Sequence, residues 1–184
     1  MDFPKHDWTD FYRDAKETVP LNMPEPRGKE VQINAYCDAD HAGNKITRRS
    51  HSGILIYCNR APILWYSKRQ NTIETSTFGS ESIALRITVE MIEALRYKLR
   101  MMGVPLDGPA TILCDNMSLV TSTTVPEATL QKKHNSVNWH KIRESIAMNV
   151  TRIIHIDGKE NISDVLSKLV PGTTLRYLLR NVLY

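Results

Sequence analysis

Asp38 and Asp40 stand two residues apart at the end of Val31-Gln-Ile-Asn-Ala-Tyr-Cys-Asp38-Ala-Asp40-His-Ala-Gly43. On an extended strand they point to the same side. Such a pair repels itself unless a cation sits beside it. A solvated turn would account for this pair alone. Three further acids in matching contexts point instead to chemistry. Asp115 also closes an apolar run, and Glu81 and Asp164 each fall in the first turn of a helical pattern. Gathered in one place, four carboxylates cannot all ionise without cations, and oxygen-only ligands select hard ions such as Mg²⁺. Two such ions, about 4 Å apart, activate water on one side of a phosphodiester and stabilise the leaving oxygen on the other.

The elements that must position these acids follow from hydrophobic periodicity. Residues 31–40 alternate apolar and polar, which predicts a strand with one buried face. Ser52 to Cys58 and Ala61 to Ser67 predict two more strands. Short connections make the three an antiparallel meander. A helix is predicted from about 77 to 102, capped by Ser76 or Thr77 and stopped by Gly103 and Pro105. Its expected core stripe is Ile83, Ile87, Met91, Leu95 and Leu99. Thr111 to Asn116 predicts a fourth strand, entering parallel after the helix. Helices are expected over 117–124 and 134–149, the latter led by Lys132, Lys133 and His134, with a fifth strand at Thr151 to Ile156. Asn161 is expected to cap a helix whose Ile162, Val165, Leu166 and Leu169 face the core. If the fourth strand lies beside the first, Asp38 and Asp115 meet at the sheet's centre, in the crevice where open α/β sheets place their chemistry.

The flanks read differently. Residues 1–30 predict a connecting extension: Trp8, Phe11, Tyr12 and Ala15 at helical spacing, then a linker marked by Pro20, Pro24 and Pro26. The aromatics read as docking residues. Residues 31–170 form the main domain. Residues 171–184 predict an amphipathic tail helix whose Leu175, Leu178, Leu179, Val182 and Leu183 must be covered.

The chain's 184 residues suffice for one domain with extensions. Its net charge of +4 is compatible with a polyanionic partner without demanding one. Three cysteines without CxxC spacing argue against a disulfide scaffold or zinc site and suit a reducing, intracellular compartment. No run approaches a membrane span, and the first residues do not read as a secretory signal.

The motifs Tyr36-Cys-Asp38-Ala-Asp40-His-Ala-Gly43, Ser76-Thr-Phe-Gly-Ser-Glu81, Leu113-Cys-Asp115-Asn116 and Ser163-Asp164-Val-Leu-Ser-Lys168 resemble the ribonuclease H domain of copia-type LTR retrotransposons. Trp65-Tyr-Ser-Lys-Arg-Gln70 and Lys132-Lys-His134-Asn135 resemble that group's linking segments. Ser82 and Ser163 depart from it, where the family usually has an aromatic residue and an alanine. The resemblance implies a ribonuclease H-like α/β fold: a five-stranded mixed sheet, order 3-2-1-4-5, with helices on both faces. It implies an endoribonuclease that cuts the RNA strand of RNA–DNA hybrids with two Mg²⁺ ions, Mn²⁺ substituting, during reverse transcription. A reverse transcriptase of the same polyprotein would be the partner, inside a cytoplasmic virus-like particle. The family's acids carry over as Asp38, Glu81, Asp115 and Asp164, with Asp38 rather than Asp40 in first position. Asn44, Thr77, Asn116, Lys68 and Arg69 carry over as substrate contacts. The competing readings are an inactive domain of the same fold serving as a tether or scaffold, and an integrase-like DNA transferase.

Two further expectations concern neighbours of the acids. Cys37 and Cys114 each precede an acid on adjacent strands, so both thiols should turn away from the carboxylates into the apolar layer. His155, within a strand, should be a half-buried structural histidine, and His134 and His140 should serve the helix start and surface.

Overall fold

The computed structural model describes residues 6–131, 133–180 and 182. Lys132 and the end of the expected tail helix (Asn181, Leu183 and Tyr184) lie outside the described residues.

Strands β1 (Ile33–Asp40), β2 (His51–Cys58) and β3 (Ala61–Arg69) form an antiparallel meander, as the short connections require. Helix α2 (Thr77–Met101) then carries the chain back, and β4 (Ala110–Cys114) enters parallel to β1. After α3 (Met117–Thr124) and α4 (Ser136–Ala147), β5 (Thr151–His155) pairs parallel to β4. The five strands lie in the order β3-β2-β1-β4-β5, the expected mixed sheet.

Alternation along the strands fills both faces. Ile33, Ala35 and Cys37 of β1, Ile54 and Ile56 of β2, and Ile112 and Cys114 of β4 pack under α2, α3 and α4. On the opposite face Leu55, with Tyr36 and Tyr57, packs against Ile162 and the short C-terminal helices α5 (Asp164–Ser167) and α6 (Gly172–Leu179). Leu178, Leu179 and Val182 cover part of that face, while Leu175 stays exposed.

The expected stripe on α2 is displaced. Ala84, Leu85, Val89 and Ile92 are the fully buried apolar positions; of the expected stripe Ile83 is buried too, while Ile87, Met91, Leu95 and Leu99 are partly buried. The helix is covered by the sheet on one side and by α4 on another, so more than one apolar row is satisfied. The helix expected from Asn161 is also shorter. A 3₁₀ turn (Gly158–Glu160) comes first, and α5 has only four residues.

The N-terminal segment lies against the helical face. Helix α1 (Thr9–Tyr12) sets Trp8, Phe11 and Tyr12 around Arg143 of α4, whose guanidinium carbon lies 4.8 Å from the Trp8 ring and 4.1 Å from that of Trp139. Farther on, Glu17 pairs with Arg96 at 2.7 Å and with Arg100 at 2.7 Å. Among the described residues no helix is long and apolar enough to cross a membrane.

Candidate metal centre

Parallel pairing of β1 with β4 creates the site. The register couples Asn34 with Thr111 and Tyr36 with Leu113. Carried two residues on, it sets Asp38 level with Asp115, and both side chains fall on the face opposite the core under α2. Strand β1 runs past Asp38 to Asp40, so Asp38 lies inside the strand rather than at its end.

Glu81 is delivered from above. Ser76 caps α2 by accepting from the Gly79 N–H at 3.2 Å, which fixes the helix start. Buried Gln70, just after β3, donates to the Ser80 carbonyl at 2.8 Å and to the Ser52 hydroxyl at 2.9 Å. That tie holds the first turn of α2, and with it Glu81, to the sheet.

Asp164 arrives from below on α5, and two contacts set its height. Asn161 does not cap a helix as expected. Its amide donates to the Cys37 carbonyl at 3.1 Å, and its oxygen accepts from the Ser163 N–H at 3.3 Å. Gly53, the β-partner of Asp38, supplies the second: a Cβ there would stand 2.5 Å from the Ser163 carbonyl and 2.7 Å from the Ser167 nitrogen. Only a hydrogen leaves room for α5 against β2. The Ser167 hydroxyl donates to Asp38 Oδ2.

The four acids therefore converge. Oxygens of Asp38, Asp115 and Asp164 lie within 4.8 Å of one another, and Glu81 and Asp115 share a second such group with Cys114. Asp40 belongs to neither group. Lys168, the last residue of the fourth motif, places Nζ 3.0 Å from Asp164 Oδ1 and 3.6 Å from Asp38 Oδ2. Its i,i+4 spacing from Asp164 is the signal in the sequence that could have given it a role. Ser167 and Asn161 carry no such signal, because their partners lie far away along the chain.

The cysteine expectation holds only in part. Cys37 and Cys114 are both buried in the core layer. Contact with Cys114, burial and the nearby acids push the Cys37 thiol well up. Cys114, however, does not turn fully away, since its sulfur belongs to the group formed with Glu81 and Asp115.

The other expected site residues scatter around this centre. Asn116 caps α3 by accepting from the Leu119 N–H at 3.0 Å, and its amide also touches Glu81. Asn44 spends its side-chain oxygen on its own loop, accepting from the Ile46 and Thr47 N–H groups at 3.1 and 2.8 Å. Thr77 is the exposed first residue of α2. Lys68 and Arg69 lie at the exposed end of β3 and line a groove with Arg86, His134 and Asn138. Half-buried His155 bonds the Asp115 carbonyl at 3.1 Å. His134 faces Glu74 at 3.6 Å, and His140 meets the Tyr12 hydroxyl at 2.7 Å.

Electrostatics fit divalent cations. Burial, then the charges of Asp115 and Asp38, push the Glu81 carboxyl up to about 7 despite the Asn116 hydrogen bond. Burial and the Asp38 charge push Asp164 up to about 6 against the pull of Lys168. Burial and Asp38 raise Asp115 as well. Glu81 Oε2 is buried with no hydrogen-bond partner among the described residues. An all-acid cluster with an orphaned oxygen suits a hard cation bound through oxygen.

A pH dependence follows. With chelator present, the folded chain holds protons on Glu81, Asp164 and Asp115 where the unfolded chain has released them. Stability should then be greatest near the ordinary carboxylate range and fall as pH rises toward about 7, where Glu81 titrates in the fold. Melts in EDTA should lose a few degrees between about pH 5 and pH 8, and excess Mg²⁺ should abolish the slope. A flat profile in EDTA would show that these carboxyls are not strained.

No protein-family model matches the chain. It is similar to the Retrovirus-related Pol polyprotein from transposon RE1 of Arabidopsis thaliana, 27% identical over 82% of this chain and 10% of that protein. It is also similar to the Retrovirus-related Pol polyprotein from transposon TNT 1-94 of Nicotiana tabacum, 30% identical over 78% of this chain and 11% of that protein. The chain thus spans about a tenth of the length of these curated relatives. In fold it is similar to LC11-RNase H1, solved in complex with an RNA/DNA hybrid. The TM-score is 0.59 at 18% identity, covering 74% of this chain and 94% of that one.

Proposed function

The chain is a ribonuclease H domain of the kind carried by retrotransposon Pol polyproteins, and from that premise we propose that it cuts the RNA strand of RNA–DNA hybrids. The observation that carries this reading is the convergence of Asp38, Glu81, Asp115 and Asp164 from four separate parts of the chain onto one end of the sheet. These residues would hold two Mg²⁺ ions, or Mn²⁺. Glu81 and Asp115 would hold one, and Asp38 and Asp164, with Asp115 beside them, the other. When bound, such ions make water a competent nucleophile at neutral pH and stabilise the leaving oxygen of a phosphodiester.

The chain's own residues supply position and selectivity. Glu81, near the start of α2, would meet the ribose 2′-hydroxyl, the group that tells RNA from DNA. Asn116 orients Glu81 and offers its remaining amide capacity to the substrate. Asn44, its oxygen engaged by the loop, is left with its amide N–H groups as donors toward a nucleic-acid backbone. Thr77 presents a hydroxyl at the α2 start. Lys68 and Arg69 meet phosphates of the DNA strand from the end of β3, so binding should weaken with added salt. A reverse transcriptase of the same polyprotein would be the partner that supplies the hybrid, in a cytoplasmic virus-like particle.

The test is cleavage of end-labelled RNA in a hybrid, beside duplex RNA and duplex DNA, in Mg²⁺ and in EDTA. Mg²⁺-dependent cutting of the hybrid's RNA alone is expected. A hybrid that is bound but left intact in Mg²⁺ would overturn the reading in favour of a tether.

A further inference from the structure

Lys168 reaches into the acid cluster from the first residue after α5, where the backbone turns extended. Its ammonium contacts Asp164 and Asp38, and not the Glu81–Asp115 side. The two halves of the cluster therefore differ in charge balance. One carries a cation of the protein's own, 3.0 Å from Asp164 Oδ1 and 3.6 Å from Asp38 Oδ2, which the other half does not share. The lysine side chain is 39% exposed, so it has a path to solvent. Burial disfavours its charge, but Asp38 and Asp164 outweigh this and hold its pKa above the ordinary lysine value.

We propose that Lys168 is a built-in counter-ion occupying the place of the divalent ion that Asp38 and Asp164 would share, and that it must swing aside for that ion to bind. This rests on the acids being metal ligands. The two ions then differ in affinity: the Glu81–Asp115 position fills first, and the Asp38–Asp164 position fills against the lysine. Competition between two cations for the same carboxylates is a linkage, so removing one strengthens the other. Lys168 is a positioning residue here. It neutralises the carboxylates before loading and sets the concentration at which loading completes.

The experiment titrates Mn²⁺ into the chelator-stripped full chain, following free Mn²⁺ by electron paramagnetic resonance, with melts in EDTA alongside. The wild-type chain should show a tight and a weak class. Lys168→Gln should tighten the weak class by about tenfold, leave the tight class unchanged, and lower the melting temperature in EDTA. Lys168→Arg, which keeps the charge, should leave the weak class weak. A merely structural lysine would lower the melting temperature without tightening either class. Equal affinities in Lys168→Gln and wild type would overturn the counter-ion and leave the metal-site reading standing. Mn²⁺ binding that Asp38→Asn does not alter, or no Mn²⁺ binding by any variant, would overturn both.

Discussion

Asp38→Asn should reduce hybrid cleavage by at least about a thousandfold, roughly 4 kcal/mol of transition-state stabilisation. The same change should leave the melting temperature in EDTA equal to or above that of the wild type. Asn fits the space of Asp, and the Ser167 hydroxyl can still donate to its carbonyl oxygen. Lys168 keeps Asp164 as its partner. One charge leaves a crowded set of carboxylates, which relieves repulsion rather than adding strain. The matched control is Asp40→Asn, two residues on along the same strand face but outside the cluster. It should cleave within a few-fold of wild type. Comparable cleavage by Asp38→Asn and wild type, on a folded protein, would remove Asp38 from the chemistry.

Arg143→Ala should be among the most damaging single substitutions, costing about 3–5 kcal/mol. The residue is 1% exposed. Its guanidinium donates to the carbonyls of Ser122, Val125 and Pro126 at 3.3, 2.9 and 2.6 Å, closing the end of α3. It also stacks against Trp8 and Trp139. Truncation strands those carbonyls and removes the cation around which the N-terminal aromatics gather. A lysine in its place would keep the charge but lose the planar fork, so Arg143→Lys should recover only part of the loss. Urea melts of the full chain check this, with proteolysis near Pro20 reporting release of the extension. A Tm for Arg143→Ala within about 2 °C of wild type would refute the account.

How much of this is legible in the sequence depends on distance along the chain. The strands are, because alternation over short stretches betrays a half-buried surface. The sheet order comes from the family resemblance. The α2 stripe is misplaced because this helix carries apolar residues on several sides, and periodicity alone does not say which side meets the sheet. The shortness of α5 is hidden because Ile162, Val165 and Leu166 keep helical spacing while Asn161 spends its amide on the Cys37 carbonyl, a bond across the fold. The four acids are recognisable by type and context. Lys168 shows in the sequence only through its i,i+4 spacing from Asp164; its ion pair with Asp38 joins residues too far apart to be seen there. Arg143 is invisible as the partner of Trp8 for the same reason, although the aromatics read as docking groups.

The pairing of β1 with β4 ties two fates together. Asp38 and Asp115 share those strands, or the residue just beyond, with Ala35, Cys37, Ile112 and Cys114. Slipping β4 by a single residue would throw its aliphatic side chains out of the interior at the same moment as it turned Asp115 away. A misaligned sheet would therefore fail to fold rather than persist as a folded but idle domain. Decay of such a protein by mutation would proceed through replacement of individual acids, with the scaffold still intact around them.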